Sequence, residues 1–224
     1  MKILFEPEAA GKAPGLEIIL FEAEIDNQPT SQELWAEIEQ QEKILAESYK
    51  MEQIRHRQAI DGTRKAYKAM GKDPNRYRPS AEALCRRAVK GMDLYRTLTV
   101  IDLINLLSLK TGHSIGGFDA DKIVGDSLTF GVGRKDEPYE AIGRGELNIE
   151  GLPVLRDAVG GVGTPTSDND RTKLSPQTKR LVMTVNMYAP SEISSQEVVA
   201  EVIRLLEKYA SAINITYTIY SAQQ

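Results

Sequence analysis

Two segments concentrate the residue types that do chemistry: Gly143-Arg144-Gly145-Glu146-Leu147-Asn148, and Gly163-Thr164-Pro165-Thr166-Ser167-Asp168-Asn169-Asp170-Arg171-Thr172. Together they offer hydroxyls, carboxylates and guanidinium groups to a polar ligand, and their glycines let backbone N–H groups come close. The same residue types also satisfy their own backbone in turns, so a set of self-capping loops is the alternative. Glu146 and Asp168 are the candidate catalytic carboxylates, and Gly145, Ser167 and Arg171 are candidate substrate contacts.

Other chemistry is poorly served. No Gly-rich segment ends in the Lys-Ser/Thr of a P-loop or has dinucleotide spacing between a strand and a helix. Asp119, Asp121 and Asp126 lack the Gly and the closing Glu of a calcium loop. His56 and His113 are the only histidines, and neither lies in a nucleophile-elbow setting. The single Cys85 excludes an internal disulfide and reads as a small buried hydrophobe, so no metal and no cofactor is expected.

The elements that must position these groups follow from charge and periodicity. The net charge of -4 argues against a polyanion partner only on average. Residues 1 to 49 hold three basic and eleven acidic side chains, whereas residues 50 to 96 hold thirteen basic and five acidic. That segregation fits either a basic surface for nucleic acid or helix faces that pair with one another. A chain of 224 residues, 41% hydrophobic, buries one sizeable core, so a single domain over 1–224 is predicted. No run of about 18 apolar residues occurs and the opening apolar run is too short for export, so a cytoplasmic protein without a membrane partner is expected.

Residues 16 to 21 read as a strand. Thr30 and Glu33 have capping-box spacing before a helix over 31 to 49, and the basic stretch to Met70 is helical. Arg78-Pro79-Ser80 starts a helix striped by Ala81, Leu84, Cys85 and Ala88. Thr99 and Asp102 open another, which Gly112 ends in the left-handed conformation. From Ser114 to Tyr188, short apolar pieces alternate with Gly-rich turns. There Leu181, Met183, Val185 and Met187 alternate with Val182, Thr184, Asn186 and Tyr188, whose partly polar face can line a pocket. Ser194 and Glu197 box a last helix ending near Ala212, and Ile213, Ile215, Tyr217 and Ile219 share one face of a closing strand. The sum is an α+β fold of mixed or antiparallel sheets with packed helices.

The run Tyr77-Arg78-Pro79-Ser80-Ala81-Glu82-Ala83-Leu84, then Asp102 with Asn105, Lys110-Thr111-Gly112, Gly116-Gly117-Phe118-Asp119 and Asp121-Lys122-Ile123, resembles the free-standing relatives of the editing module of the phenylalanyl-tRNA synthetase beta subunit. Gly143-Arg144-Gly145-Glu146, Gly151-Leu152-Pro153 and Pro165-Thr166-Ser167-Asp168 continue the resemblance, which is strongest over 75–190. It implies that module's fold and hydrolysis of an amino acid wrongly esterified to tRNA, tyrosine in the synthetase, where selection against an added hydroxyl is weak. It also implies a pocket at Asn105, at Gly116 in place of a histidine, and at Thr184 in place of a glutamate.

Ester hydrolysis of this kind depends on position, on one admitted water and on N–H donors at the oxyanion, which Gly116, Gly117 and the loop at Gly145 can supply. The expected partner is therefore tRNA or aminoacyl-tRNA, with Arg76, Arg78, Arg86 and Arg87 on its phosphates. Glu146, Asn105, Ser167, Asp168 and Arg171 are expected to meet the ammonium, ribose or water. A module that kept the fold but only binds RNA, an amino acid or a nucleoside is the alternative, and hydrolysis of another small ester or amide is a third.

Overall fold

The computed structural model describes residues 1–189 and 191–222. In chain order it runs β1 (Lys2–Phe5), α1 (Pro7–Lys12), β2 (Glu17–Glu24), α2 (Gln32–Ser48), α3 (Gln58–Met70), α4 (Ser80–Val89), α5 (Thr99–Thr111), β3 (Ser114–Asp119) and β4 (Ser127–Val132). There follow β5 (Glu140–Ala141), β6 (Gly145–Glu146), β7 (Pro153–Arg156), β8 (Gly161–Gly163), β9 (Arg180–Met187), α6 (Ser195–Ala210) and β10 (Ile213–Ser221). This is an α+β arrangement. One four-stranded sheet has the order β10-β2-β9-β3, a second has β1-β4-β7-β8, and β5 and β6 form a separate hairpin.

The period-2 alternation decides the layering. Leu181, Met183 and Val185 of β9, with Ile19 and Phe21 of β2, enter a core shared with α2, α4, α5 and α6. Val182, Ile18 and Leu20 point the other way, against Phe130, Leu155 and Val162 of the second sheet. The order is therefore α2, α4, α5 and α6, then the first sheet, then the second, with α1 and α3 packed into the cores around the second sheet. Among the described residues no helix is long and apolar enough to cross a membrane.

Caps confirm some expectations and correct others. The Ser194–Glu197 box is present, and Gly112 ends α5 at φ +78. At α2 the cap is Ser31, whose hydroxyl accepts the Leu34 N–H, and not Thr30. The Thr30 hydroxyl instead donates to Asp102, which also accepts from the Thr97 N–H and hydroxyl, so a tertiary contact takes the residue that local spacing had assigned to capping. The last helix stops at Ala210. In β10, Ile215 and Ile219 pack on the helical core, but the register slips between Ile213 and Thr216 and Asn214 takes φ +53, which leaves Ile213 exposed.

Much of the basic stretch is used internally. Buried Arg57 donates to the Leu109 and Lys110 carbonyls at the end of α5 and to Cys85 Sγ. Arg64 of α3 reaches Glu82 of α4 at 2.8 Å with both side chains enclosed, and Lys72 donates to the Asn148 and Glu150 carbonyls. Internal bonds thus account for Arg57, Arg64 and Lys72, while Arg86 and Arg87 of α4 are half-buried, Arg86 donating to the Met51 carbonyl and Arg87 to the Asp93 carbonyl.

Candidate functional site

β3 divides the site. Gly116 and Gly117 are consecutive, so they face opposite sides of the sheet: Gly116 is paired with Thr184 and Gly117 with Met183. A Cβ at Gly117 would lie 2.4 Å from Ile104 Cδ1 and 3.1 Å from Leu174 Cδ1, on the helical side. A Cβ at Gly116 would lie 2.7 Å from the Phe118 ring, between the sheets.

On the helical side lies a cavity of about 270 Å³. Ile101, Ile104, Asn105 and Ser108 of α5 form one wall, and Ser80 and Leu84 of α4 a second. Thr164, Thr166, Ser167 and Asp168 stand opposite, with Ile142, Lys173 and Leu174 at the edges and Ile115 and Gly117 as the floor. The 164–168 loop is held firmly. Thr164 Oγ1 accepts the Thr166 and Ser167 N–H groups, Tyr139 donates to the Ser167 carbonyl at 2.7 Å, Tyr67 and Thr166 share a hydroxyl bond of 2.9 Å, and the Ser80 N–H donates to the Pro165 carbonyl at 2.7 Å.

Among the described residues, Asp168 is the one carboxylate on this cavity. Its Oδ2 accepts the Gly117 N–H at 3.2 Å, and its carboxyl is enclosed although the residue as a whole keeps some exposure. Burial pushes its pKa up to about 7, against the opposing pull of that N–H. A group that changes charge near neutrality inside a cavity is the kind of feature that marks functional sites.

Between the sheets a second space, of about 10 Å³, is lined by Gly116, Phe118, Gly163, Thr184, Asn186 and Tyr188 among others, and Asp168 borders it too. It has the room of roughly one water molecule. Thr184 Oγ1 and Tyr188 OH are buried there without a hydrogen-bond partner among the described residues. His113 lies elsewhere, buried with Nε2 against Ser191 Oγ at 2.9 Å and kept neutral by burial, which lowers its pKa to about 4.

A groove of about 490 Å³ adjoins the larger cavity, because Leu84 and Asn105 line both. Its walls carry Arg78, Arg86, Arg87, Lys90 and Arg144, together with Met92 and Tyr95. Tyr95 is 73% exposed, and the Arg87 guanidinium lies over its ring at 4.5 Å.

Of the residues singled out in the sequence, Asn105, Gly117, Ser167 and Asp168 meet at the larger cavity, and Gly116 and Thr184 meet across the small one. Gly145 and Glu146 are exposed in the β5–β6 hairpin, which touches the larger cavity through Ile142. Arg171 forms a two-point pair with Asp157, both contacts at 2.9 Å. Arg78, Arg86 and Arg87 share the groove, while Arg76 stands over the Tyr77 ring. The sequence reading gave no role to Ile142, Leu174 or Tyr95, and did not place Lys90 or Arg144 on a common groove. Ile101, Ile104, Asn105 and Ser108 do recur at helical spacing, a second stripe beside the core stripe of α5.

Gly117→Ala is expected to push Ile104 Cδ1 into the cavity. Because that atom ends a flexible side chain, the cost in a melting experiment should be about 1 kcal/mol, at the low end for overpacking, while a crystal structure shows the cavity narrowed.

Residues 62–204 match the family model described as the B3/4 domain, well over half of the chain. A search of curated proteins found no match. Among solved structures, an N-terminal fragment of the phenylalanyl-tRNA synthetase beta subunit from Pyrococcus horikoshii is similar over 97% of this chain, with 13% identity and a TM-score of 0.47. The chain spans 53% of that fragment's length. The family match brackets the segment in which the sequence resemblance is strongest, and the chain belongs to the B3/4 domain family.

Proposed function

We propose that the protein hydrolyses aminoacyl esters of tRNA, acting in trans on tRNA charged elsewhere. The observation that carries this reading is the junction at Leu84 and Asn105, where a groove with five cations adjoins a cavity sized for an amino acid. Phosphates of a single-stranded acceptor end lie along Arg78, Arg86, Arg87, Lys90 and Arg144, and the Tyr95–Arg87 stack serves as a platform for a base. The esterified amino acid enters the cavity. Its ammonium meets Asp168, and Asn105 at the boundary orients the ribose.

The ester is already activated, so holding it beside a water supplies much of the rate. The Gly117 N–H is committed to Asp168 and the Ser167 hydroxyl to the Asp168 carbonyl, so donors for the oxyanion come from the other hydroxyls on the cavity wall, those of Ser80 and Ser108. That same commitment favours the second reading, a module that binds charged tRNA without turnover.

Incubation with a panel of mischarged tRNAs separates the two. Deacylation above the buffer rate for at least one ester supports hydrolysis, while salt-dependent tRNA binding with no turnover supports the binding module. With either outcome, Arg86→Ala combined with Arg87→Ala is expected to weaken tRNA binding and to lower the slope of log K against log salt by about 1 for each phosphate that is no longer neutralised. Tyr95→Ala is expected to weaken binding about 5- to 100-fold, the range for losing one base–aromatic stack, and Tyr95→Phe to preserve it. An unchanged salt slope in the arginine variant removes the groove from the proposal.

A further inference from the structure

The first sheet ends on an edge strand whose sequence is suited to pairing. In the order β10-β2-β9-β3, β10 is bonded to β2 alone among the described strands. Its residues, Ile213-Asn214-Ile215-Thr216-Tyr217-Thr218-Ile219-Tyr220-Ser221, include no charge, no proline and no glycine. Ile213 is 58% exposed and Tyr217 50%. An uncharged edge of this length attracts a further strand unless a bulge, a charge or a covering element blunts it. The one bulge lies between Ile213 and Thr216 and leaves the ladder from Thr216 onward regular.

Two observations say which strand fits. The central five residues, Ile215-Thr216-Tyr217-Thr218-Ile219, read the same in both directions. An antiparallel pair with a second copy, centred on Tyr217, therefore sets Ile215 against Ile219, Thr216 against Thr218 and Tyr217 against itself, each a favourable cross-strand match. Near a two-fold axis a charge meets its own kind, so an edge without charges is what self-pairing needs. The second observation is the parity of the backbone. The Ala222 N–H donates to the Leu16 carbonyl, in the register that pairs Tyr220 with Ile18 and Thr218 with Leu20. Even-numbered residues thus turn their N–H and C=O groups to β2, and those of Tyr217 and Ile219 point outward, where an antiparallel partner exchanges both bonds with them.

We propose that β10 pairs with β10 of a second copy about a two-fold axis at Tyr217, joining the two four-stranded sheets into one continuous sheet. The candidate cavity stands clear of this seam, because Gly117 on its floor belongs to β3, at the opposite edge of the sheet. The pairing is independent of what the cavity receives.

Sedimentation equilibrium of the full chain provides the test. A monomer–dimer equilibrium is expected at chain concentrations up to about 100 μM. Tyr217→Lys sets two ammonium groups across the axis and is expected to weaken association at least about tenfold, less so at high salt. A melting curve shows whether that variant is folded, and Thr218→Lys, at an exposed position, charges the same edge without touching the ring. Tyr217→Cys is expected to form a disulfide with its own copy on oxidation, whereas the more exposed Ile213→Cys, which the register sets opposite another residue, should not. A chain that stays monomeric, as it would if the edge takes an extended segment of another protein, overturns the inference. So does a dimer that neither lysine variant weakens, or a disulfide that forms as readily with Ile213→Cys as with Tyr217→Cys.

Discussion

Glu82→Ala is expected to destabilise the protein by about 3–5 kcal/mol, read as a lowered urea midpoint at unchanged slope. Glu82 is 2% exposed and accepts from Arg64 at 2.8 Å, and Arg64 is itself 8% exposed. Arg64 also donates to the Pro74 carbonyl and to Asn75 Oδ1, so removing the carboxylate strands a guanidinium whose remaining partners are neutral. The loss would fall between α3 and α4, the two helices the pair joins. A double variant, Glu82→Leu with Arg64→Met, should recover most of it, since two apolar groups replace a pair whose desolvation was costly. If the single variant melts like the wild type, the pair is wet and the enclosed geometry is wrong.

The same carboxylate lies 3.6 Å from Arg78 and 3.8 Å from Arg86, both groove residues. Glu82 therefore fixes two cations from below while its buried oxygen holds the fold.

Asp168→Asn should move activity and stability in opposite directions. The proposed contact between Asp168 and the substrate ammonium needs the ionised carboxylate, so binding of a charged aminoacyl analogue is expected to strengthen as pH rises through about 7, and this limb should vanish in the Asn variant. Deacylation by Asp168→Asn should fall by about 10²-fold, the scale of about 3 kcal/mol for removing a charge-assisted hydrogen bond. Stability runs the other way. The folded pKa of about 7 lies above the ordinary 3.8, so this group's contribution is full below about 4 and is lost as pH rises to about 7. The Asn variant should match the wild type near pH 4 and melt increasingly above it up to pH 7, with a constant gap beyond. Melting curves that stay parallel across this range would show that the carboxyl is solvated. A destabilising residue kept at a cavity wall is the trade expected where function requires it.

How much of this was legible in the sequence depended on whether the signal was local. The two faces of β9 were readable because alternation is a property of the strand itself, and Ser194 with Glu197 because both partners of the box lie within one turn. Thr30 was misread because its hydroxyl serves Asp102, 72 residues away. Asp168 and Ser167 stood out in a loop rich in polar groups, yet so did Arg171, and only the fold shows its guanidinium spent on Asp157. The groove could not be read from one segment. It is assembled from α4, the turn that follows it and the hairpin tip at Arg144, and Tyr95 carried no local mark of exposure. The cavity wall was half visible in the spacing of Ile101, Ile104, Asn105 and Ser108. Its other half, Ile142 and Leu174, comes from separate loops.

One hydrogen bond at the rim ties the two sheets to each other. The Tyr220 hydroxyl near the end of β10 donates to the Met1 carbonyl at 3.4 Å, and the Ala222 N–H reaches the Leu16 carbonyl at 3.1 Å. Although the opening and closing strands belong to different sheets, the backbone arrives and departs at one corner. Tyr220 thereby clamps β10 of one sheet to the start of β1 in the other, so a disturbance at that corner is felt by both layers at once.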